Sequence, residues 1–219
     1  KIEKNHIKSK WWYKDGNLWK EIYFNKEGFI RTEKRWFSSG QLEAELFYKD
    51  GLKILEKKWF KNNLIRQEIN WKNGNMGLYK EWYENGQIKQ EINYKDKYRD
   101  GLCRSWYKSG KLKSETNFKI GNINGLERKW YSNGILKSEA NYIHNLSNGL
   151  CRSWHYNGNI EHEGNYKNGE GEGIIKDWHY NGNLYKEANY KNGQKNGVER
   201  IWREDGYLLY QYYYENGAE

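Results

Sequence analysis

Nine tryptophans recur along this chain at a nearly fixed interval. Trp12, Trp36, Trp59, Trp82, Trp106, Trp130, Trp154, Trp178 and Trp202 stand 24, 23, 23, 24, 24, 24, 24 and 24 residues apart. A period between 20 and 50 residues marks a repeat architecture, in which each unit is one supersecondary element stacked on its neighbours. Other columns keep the same interval. Two residues before each Trp stands a Lys or Arg: Lys10, Lys34, Lys57, Lys80, Arg104, Arg128, Arg152, Lys176 and Arg200. Nine residues after it stands a Glu, from Glu21 through Glu187, with Gln211 closing the series. Four residues after it stands a Gly, with Asn63 the one exception. Nine units fill the 219 residues and leave no room for a separate catalytic domain.

Each unit reads as a β-hairpin. In Leu78–Tyr83, Glu84-Asn85-Gly86-Gln87 and Ile88–Tyr94, an Asn-Gly pair lies between two strand-like runs. That pairing is the strongest short-range hairpin signal, because both central residues of a type I′ turn need positive φ. A two-residue loop sets Tyr83 opposite Ile88, Lys80 opposite Glu91 and Gly77 opposite Tyr94. A three-residue loop with a bulge sets Trp82 opposite Ile88 instead. The two-residue register is preferred, because it makes the basic and Glu columns cross-strand partners and lays an aromatic over each strand glycine. Between hairpins, stretches such as Lys95–Asp100 and Lys191–Asn196 read as longer polar connections. The expected fold is all-β: an elongated, twisted, single-layer antiparallel meander of about nine hairpins and about eighteen strands. Residues 1–76 hold divergent units, 77–197 the regular ones and 198–219 a capping unit, all in a single array over 1–219.

Composition agrees. The chain has 12 Trp, 20 Tyr and 6 Phe, so aromatics form nearly half of the 36% hydrophobic content and a thick aliphatic core is excluded. Disorder is excluded too, since disordered chains are poor in aromatics. No run approaches the roughly 18 apolar residues of a membrane-spanning helix. The chain opens at Lys1 without an initiator Met, and a preceding segment is expected to be missing, which leaves a secreted or cell-surface location open.

The string Gly-Leu-x-x-x-Trp-Tyr-x-x-Gly-x-Leu-Lys-x-Glu-x-x-Tyr/Phe, at Gly101–Phe118 and Gly125–Tyr142, resembles the variant MORN repeat. Bacterial proteins built of this repeat are grouped as YwqK-family antitoxins. The resemblance implies an elongated β-sheet scaffold that binds proteins and sometimes lipids, and a role in neutralising a cognate toxin by binding it.

Trp82, Trp106, Trp130, Tyr83, Tyr107, Tyr131, Arg104 and Arg128 are the candidate binding residues, because their types dominate interface hot spots and their rows run unbroken through the regular units. Most of the Trp stripe is expected to cover the thin sheet. The tyrosines share a face with Ile88, Leu112 and Leu136 in the preferred register. A net charge of +9 with interleaved aromatics suits nucleic acid, yet each basic residue has Glu or Gln opposite it, so nucleic acid is disfavoured. Cys103 and Cys151 lie two repeats apart, about 19 Å at strand spacing, too far for a disulfide. Free thiols slightly favour a reducing, cytoplasmic compartment. His155, His162 and His179 lack the ligands to complete a metal site. No cofactor and no catalytic residue is expected. The leading reading is a non-catalytic scaffold binding a partner protein, with a toxin as the occupant the resemblance implies. The alternative is a cell-surface module that recognises glycan or anionic lipid head groups through aromatic and basic rows.

Overall fold

The computed structural model describes residues 6–218; residues 1–5 and 219, at the outer ends of the segments 1–76 and 198–219, lie outside the described residues. The chain divides into two compact units, one running to Asp100 and taking in Lys108–Gly110, the other comprising Gly101–Tyr107 and Lys111–Glu219. The first carries β1 (His6–Trp12), β2 (Leu18–Phe24), β3 (Ile30–Trp36), β4 (Leu42–Lys49), β5 (Leu52–Trp59), β6 (Ile65–Lys72), β7 (Asn75–Trp82), β8 (Ile88–Lys95) and β9 (Tyr98–Arg99). The second carries β10 (Gly101–Trp106), β11 (Leu112–Lys119), β12 (Asn122–Trp130), β13 (Leu136–Ile143), β14 (Leu146–Trp154), β15 (Ile160–Lys167), β16 (Glu170–Trp178), β17 (Leu184–Lys191), β18 (Gln194–Trp202) and β19 (Leu208–Tyr214). Within each unit every strand pairs antiparallel with its sequence neighbours, and no helix occurs among the described residues. The all-β hairpin meander is as expected. The nineteenth strand arises because Asp100 separates β9 from β10.

The charge columns pair as the sequence implies. Lys80 opposes Glu91, Arg104 opposes Glu115 and Arg128 opposes Glu139, and in the second unit Gly125 lies opposite Tyr142 and Gly149 opposite Tyr166. The turns differ from expectation. The Tyr131 N–H donates to the Ile135 carbonyl and the Gly134 N–H donates to the Tyr131 carbonyl, each at 2.9 Å. This is a three-residue loop, a type I turn closed by a glycine in the left-handed region, here Gly134 at φ +98°. Asn133 stays outside that region. A bulge one step beyond restores the charge register: Lys129 opposes Ser138 while Trp130 opposes Leu136, leaving Lys137 as the extra residue. The same loop at Glu84-Asn85-Gly86 sets Trp82, not Tyr83, opposite Ile88. The bulge thus reconciles two registers that seemed exclusive.

Type I′ turns do occur, in the stretches read as longer connections. Lys191 pairs with Gln194, and between them Asn192 and Gly193 have φ of 51° and 77°. Asp50-Gly51, Asn73-Gly74 and Asn168-Gly169 adopt the same positive φ pair. Asp96 and Lys97 do so within the polar stretch Lys95–Asp100.

The core is a narrow central row. In the first unit Ile22, Glu33, Leu46, Glu56, Ile69, Tyr79 and Ile92 oppose each other strand by strand, and all but Tyr79 are buried. In the second unit the equivalent row runs through Cys103, Thr116, Glu127, Ala140, Cys151 and Gly164. Buried carboxylates need partners. Glu33 has Arg35 at 2.6 Å, Glu56 has Lys53 at 2.8 Å, Glu127 has Lys129 at 2.8 Å and Glu199 has Lys195 at 2.7 Å.

Candidate binding faces

Side chains alternate across a strand, so each sheet has two chemically different faces. On β12 one face carries Leu126, Arg128 and Trp130, and the other carries Gly125, Glu127 and Lys129. The first is the tryptophan face and the second the core face.

On the tryptophan face of the second unit, Trp106 and Trp130 sit half-buried beside Leu112 and Leu136. A row of ion pairs runs alongside: Arg104–Glu115 at 2.7 Å, Arg128–Glu139 at 2.5 Å and Arg152–Glu163 at 2.7 Å. Beyond it lie Leu126, Leu150 and Ile174, of which Leu150 is 37% and Ile174 57% exposed. The apolar Trp row and a mixed row, in which Leu126, Leu150 and Ile174 alternate with Asn141, Asn165 and Asn189, thus flank a neutralised charged stripe. In the first unit Trp82 lies beside Ile88, and Lys80 pairs with Glu91 at 3.4 Å.

The tyrosines that follow the tryptophans occupy the turn rim. The Tyr107 hydroxyl donates to the Trp130 carbonyl at 2.7 Å and the Tyr131 hydroxyl donates to the Trp154 carbonyl at 2.9 Å. Burial, with help from Glu161 and Tyr180, holds the Tyr131 phenol above its usual pKa. The bulge lysines cover the rings, Lys113 at 5.7 Å from Tyr107, Lys137 at 5.5 Å from Tyr131 and Lys89 at 6.0 Å from Tyr83. The expectation that Tyr83, Tyr107 and Tyr131 pair with Ile88, Leu112 and Leu136 is corrected, because the three-residue loop gives those partners to the tryptophans. His155 and His179 take the tyrosine position and place Nε2 2.9 Å from the Trp178 and Trp202 carbonyls.

His162 faces the other way. Ser153, His162 and Asp177 stand side by side on β14, β15 and β16. With its proton on Nδ1 the imidazole donates to Asp177 Oδ1 at 2.6 Å and accepts from the Tyr166 hydroxyl at Nε2, at 2.9 Å. The Ser153 hydroxyl donates to Glu161 at 2.9 Å, so the histidine orients a tyrosine and not a serine nucleophile. The sequence hid this arrangement, since Asp177 comes from the unit after the one that holds Ser153 and His162, and all three fill columns that vary. Cys103 and Cys151 are free thiols, and burial pushes the Cys151 thiol pKa up. Among the described residues no three His, Cys, Asp or Glu side chains converge as a metal site requires.

Two hollows stand out. An open one of about 590 Å³ in the first unit is walled by Phe29, Ile30, Phe47 and Ile54, with Arg31 and Lys49 at its margin. A smaller one, about 270 Å³, lies on the core face of the second unit over Ala140 and Cys151.

The repeat model for the MORN repeat variant matches residues 5–26, 32–50, 77–96, 99–119, 123–144, 147–168 and 171–192, well over half of the chain. The protein belongs to the MORN repeat variant family. MORN repeats are typically binding modules, and the family is in general a non-enzymatic scaffold. The unmatched stretches 51–76 and 193–219 include the MORN unit in which Asn63 replaces the loop glycine. Asn63 adopts φ +65°, a conformation asparagine tolerates better than most residues. No curated protein matches in sequence. Among solved structures, a chain in the crystal structure of TcdB2-TccC3-Cdc42 is similar at 12% identity, with a TM-score of 0.18. The match covers 90% of this chain but only 13% of that one, and it carries no argument about fold or function.

Proposed function

We propose that this MORN-variant protein is a non-catalytic scaffold that binds a partner protein along the tryptophan face of its second unit. The observation that carries the reading is the exposure of Leu150 and Ile174 beside the half-buried Trp column. A sheet with no second layer leaves the half-buried tryptophan row open, with Leu150 and Ile174 exposed beyond the charged stripe, and exposed apolar surface rimmed by polar residues marks interaction sites. Trp106, Trp130, Arg104 and Arg128 supply the anchor types, with Tyr107 and Tyr131 at the turn rim beside them. The YwqK-family resemblance makes the partner a toxin and the role that of an antitoxin or immunity-like protein. The ion pairs work against the alternative of anionic lipid on this face, because each arginine already faces a carboxylate.

Capture from the source cell with the tagged full chain tests the reading. One protein should be retained in stoichiometric amount. Retention on anionic vesicles or cell-wall material, with no stoichiometric protein, would replace it with the surface-binding reading.

A further inference from the structure

On the core face of the second unit, β13 and β14 oppose Ser138 to Ser153, Ala140 to Cys151 and Tyr142 to Ser147. The central row is narrow here. Glu127 precedes them on that row and Gly164, overlain by Ile175, follows, whereas Ala140 and Cys151 are small, and the 270 Å³ hollow lies over them. Tyr142 on β13 and Tyr166 on β15 rise on either side of β14, with backbones roughly 10 Å apart at ordinary strand spacing. We propose that this hollow binds a single neutral sugar ring, held between the two tyrosines.

Three features select that chemistry. The first is a rigid wall: Tyr166 is fixed by His162, which is itself fixed by Asp177. Ligand groups held by a supporting shell of hydrogen bonds are what a working site requires. The second is open neutral hydrogen bonding. The hydroxyls of Ser138, Tyr142 and Ser147 carry no side-chain hydrogen bond among the described residues and all line the hollow. Within the β10–β11 hairpin the serines are closed, because Ser105 and Ser114 bond each other at 2.6 Å. The third is the lack of available charge. Glu127 and Lys129 border the hollow but pair at 2.8 Å, Glu139 pairs with Arg128, Arg152 with Glu163, and His162 is held by Asp177. An ion gains nothing from such a lining. A polyhydroxylated ring meets hydroxyls at its edge and aromatic surface on its faces, the mix of apolar wall and few polar groups usual in small-ligand sites. The tyrosines and serines of the hollow lie on the core face and only Glu139 and Arg152 are shared with the charged stripe of the other face, so loss of either binding activity can be read without the other.

Saturation-transfer NMR on the full chain, with glucose, galactose, mannose and N-acetylglucosamine as separate probes, tests the proposal. At least one sugar should receive transfer at its ring protons, and Ala140→Leu, which fills the hollow, should weaken it at least tenfold. Should Ala140→Leu fail to fold by thermal melt, Ser138→Ala serves instead and should weaken binding by threefold or more. An oligomer of the same sugar separates sources: equal affinity indicates a free monosaccharide, tighter binding a glycan. No transfer to any of the four sugars overturns the proposal. So does transfer of parental strength in a folded Ala140→Leu, or in Ser138→Ala where that variant serves.

Discussion

Asn133 ties its own turn to the next one. Its Oδ1 accepts from the Ile135 N–H at 2.9 Å and its Nδ2 donates to the Tyr156 carbonyl, also at 2.9 Å. Asn157 repeats the link to Tyr180 at 2.8 Å, and Asn181 to Glu204 at 2.8 Å. The asparagine of Asn-Gly is therefore chosen for its amide and the glycine for its φ.

Asn133→Asp keeps the acceptor inside the turn but loses the donor and sets a carboxylate against a carbonyl. It should destabilise by about 1 kcal/mol, the net worth of one hydrogen bond. Chemical denaturation of parent and variant measures it; equal midpoints would mean that the rung contributes nothing.

Ile120 holds φ +49° in a return turn, a conformation that crowds a β-branched side chain, and it is 61% exposed. Asn, the residue of Asn73, Asn168 and Asn192 at the same place, relieves that strain. Ile120→Asn should raise stability by about 1 kcal/mol. A melting temperature at or below the parent's contradicts the strain.

Arg128→Glu sets three carboxylates in a row, since Glu115 and Glu139 both oppose position 128. The loss should be a few tenths to about 1 kcal/mol, because the pair is partly exposed. Adding Glu139→Arg should restore only part of it, as the new arginine then faces Arg152. A double-mutant cycle with no coupling would mean that the pair is held by neighbouring contacts alone.

Glu56 is buried, which raises its pKa, but Lys53 and Lys58 bond and attract the carboxylate strongly enough to leave it below its ordinary value of 4.5. A lowered folded pKa means stability that is present above about 4.5 and lost as pH falls through the folded value. Melts of parent and Glu56→Gln between pH 3 and 7 should differ by about 1–2 kcal/mol at neutral pH. They should converge toward pH 3, and a constant gap would show that the ion pairs do not drive it.

Periodic columns made the hairpins and the Arg–Glu register legible, because charge and glycine positions repeat where backbone geometry demands them. The turn types were not. Asn85-Gly86 and Asn192-Gly193 are the same dipeptide, yet only the second adopts positive φ at both residues. What separates them is loop length, which the bulge at Lys89 conceals by restoring the charge register. The core row was not legible because Glu33, Thr116 and Glu127 are not types that announce burial. The Asp177–His162–Tyr166 chain was hidden for the opposite reason: Asp177 and His162 fill variable columns, and only the strand order brings them to the periodic Tyr166.

The central claim is that the tryptophan face of the second unit is a protein-binding surface. Leu150→Glu with Ile174→Glu places charge on two exposed aliphatic positions of that face and leaves the core row untouched. Affinity of the captured partner for parent and double variant, with thermal melts in parallel, is the direct measurement. The account predicts a loss of at least tenfold at an unchanged melting temperature. Parental affinity in a double variant that melts like the parent would contradict it.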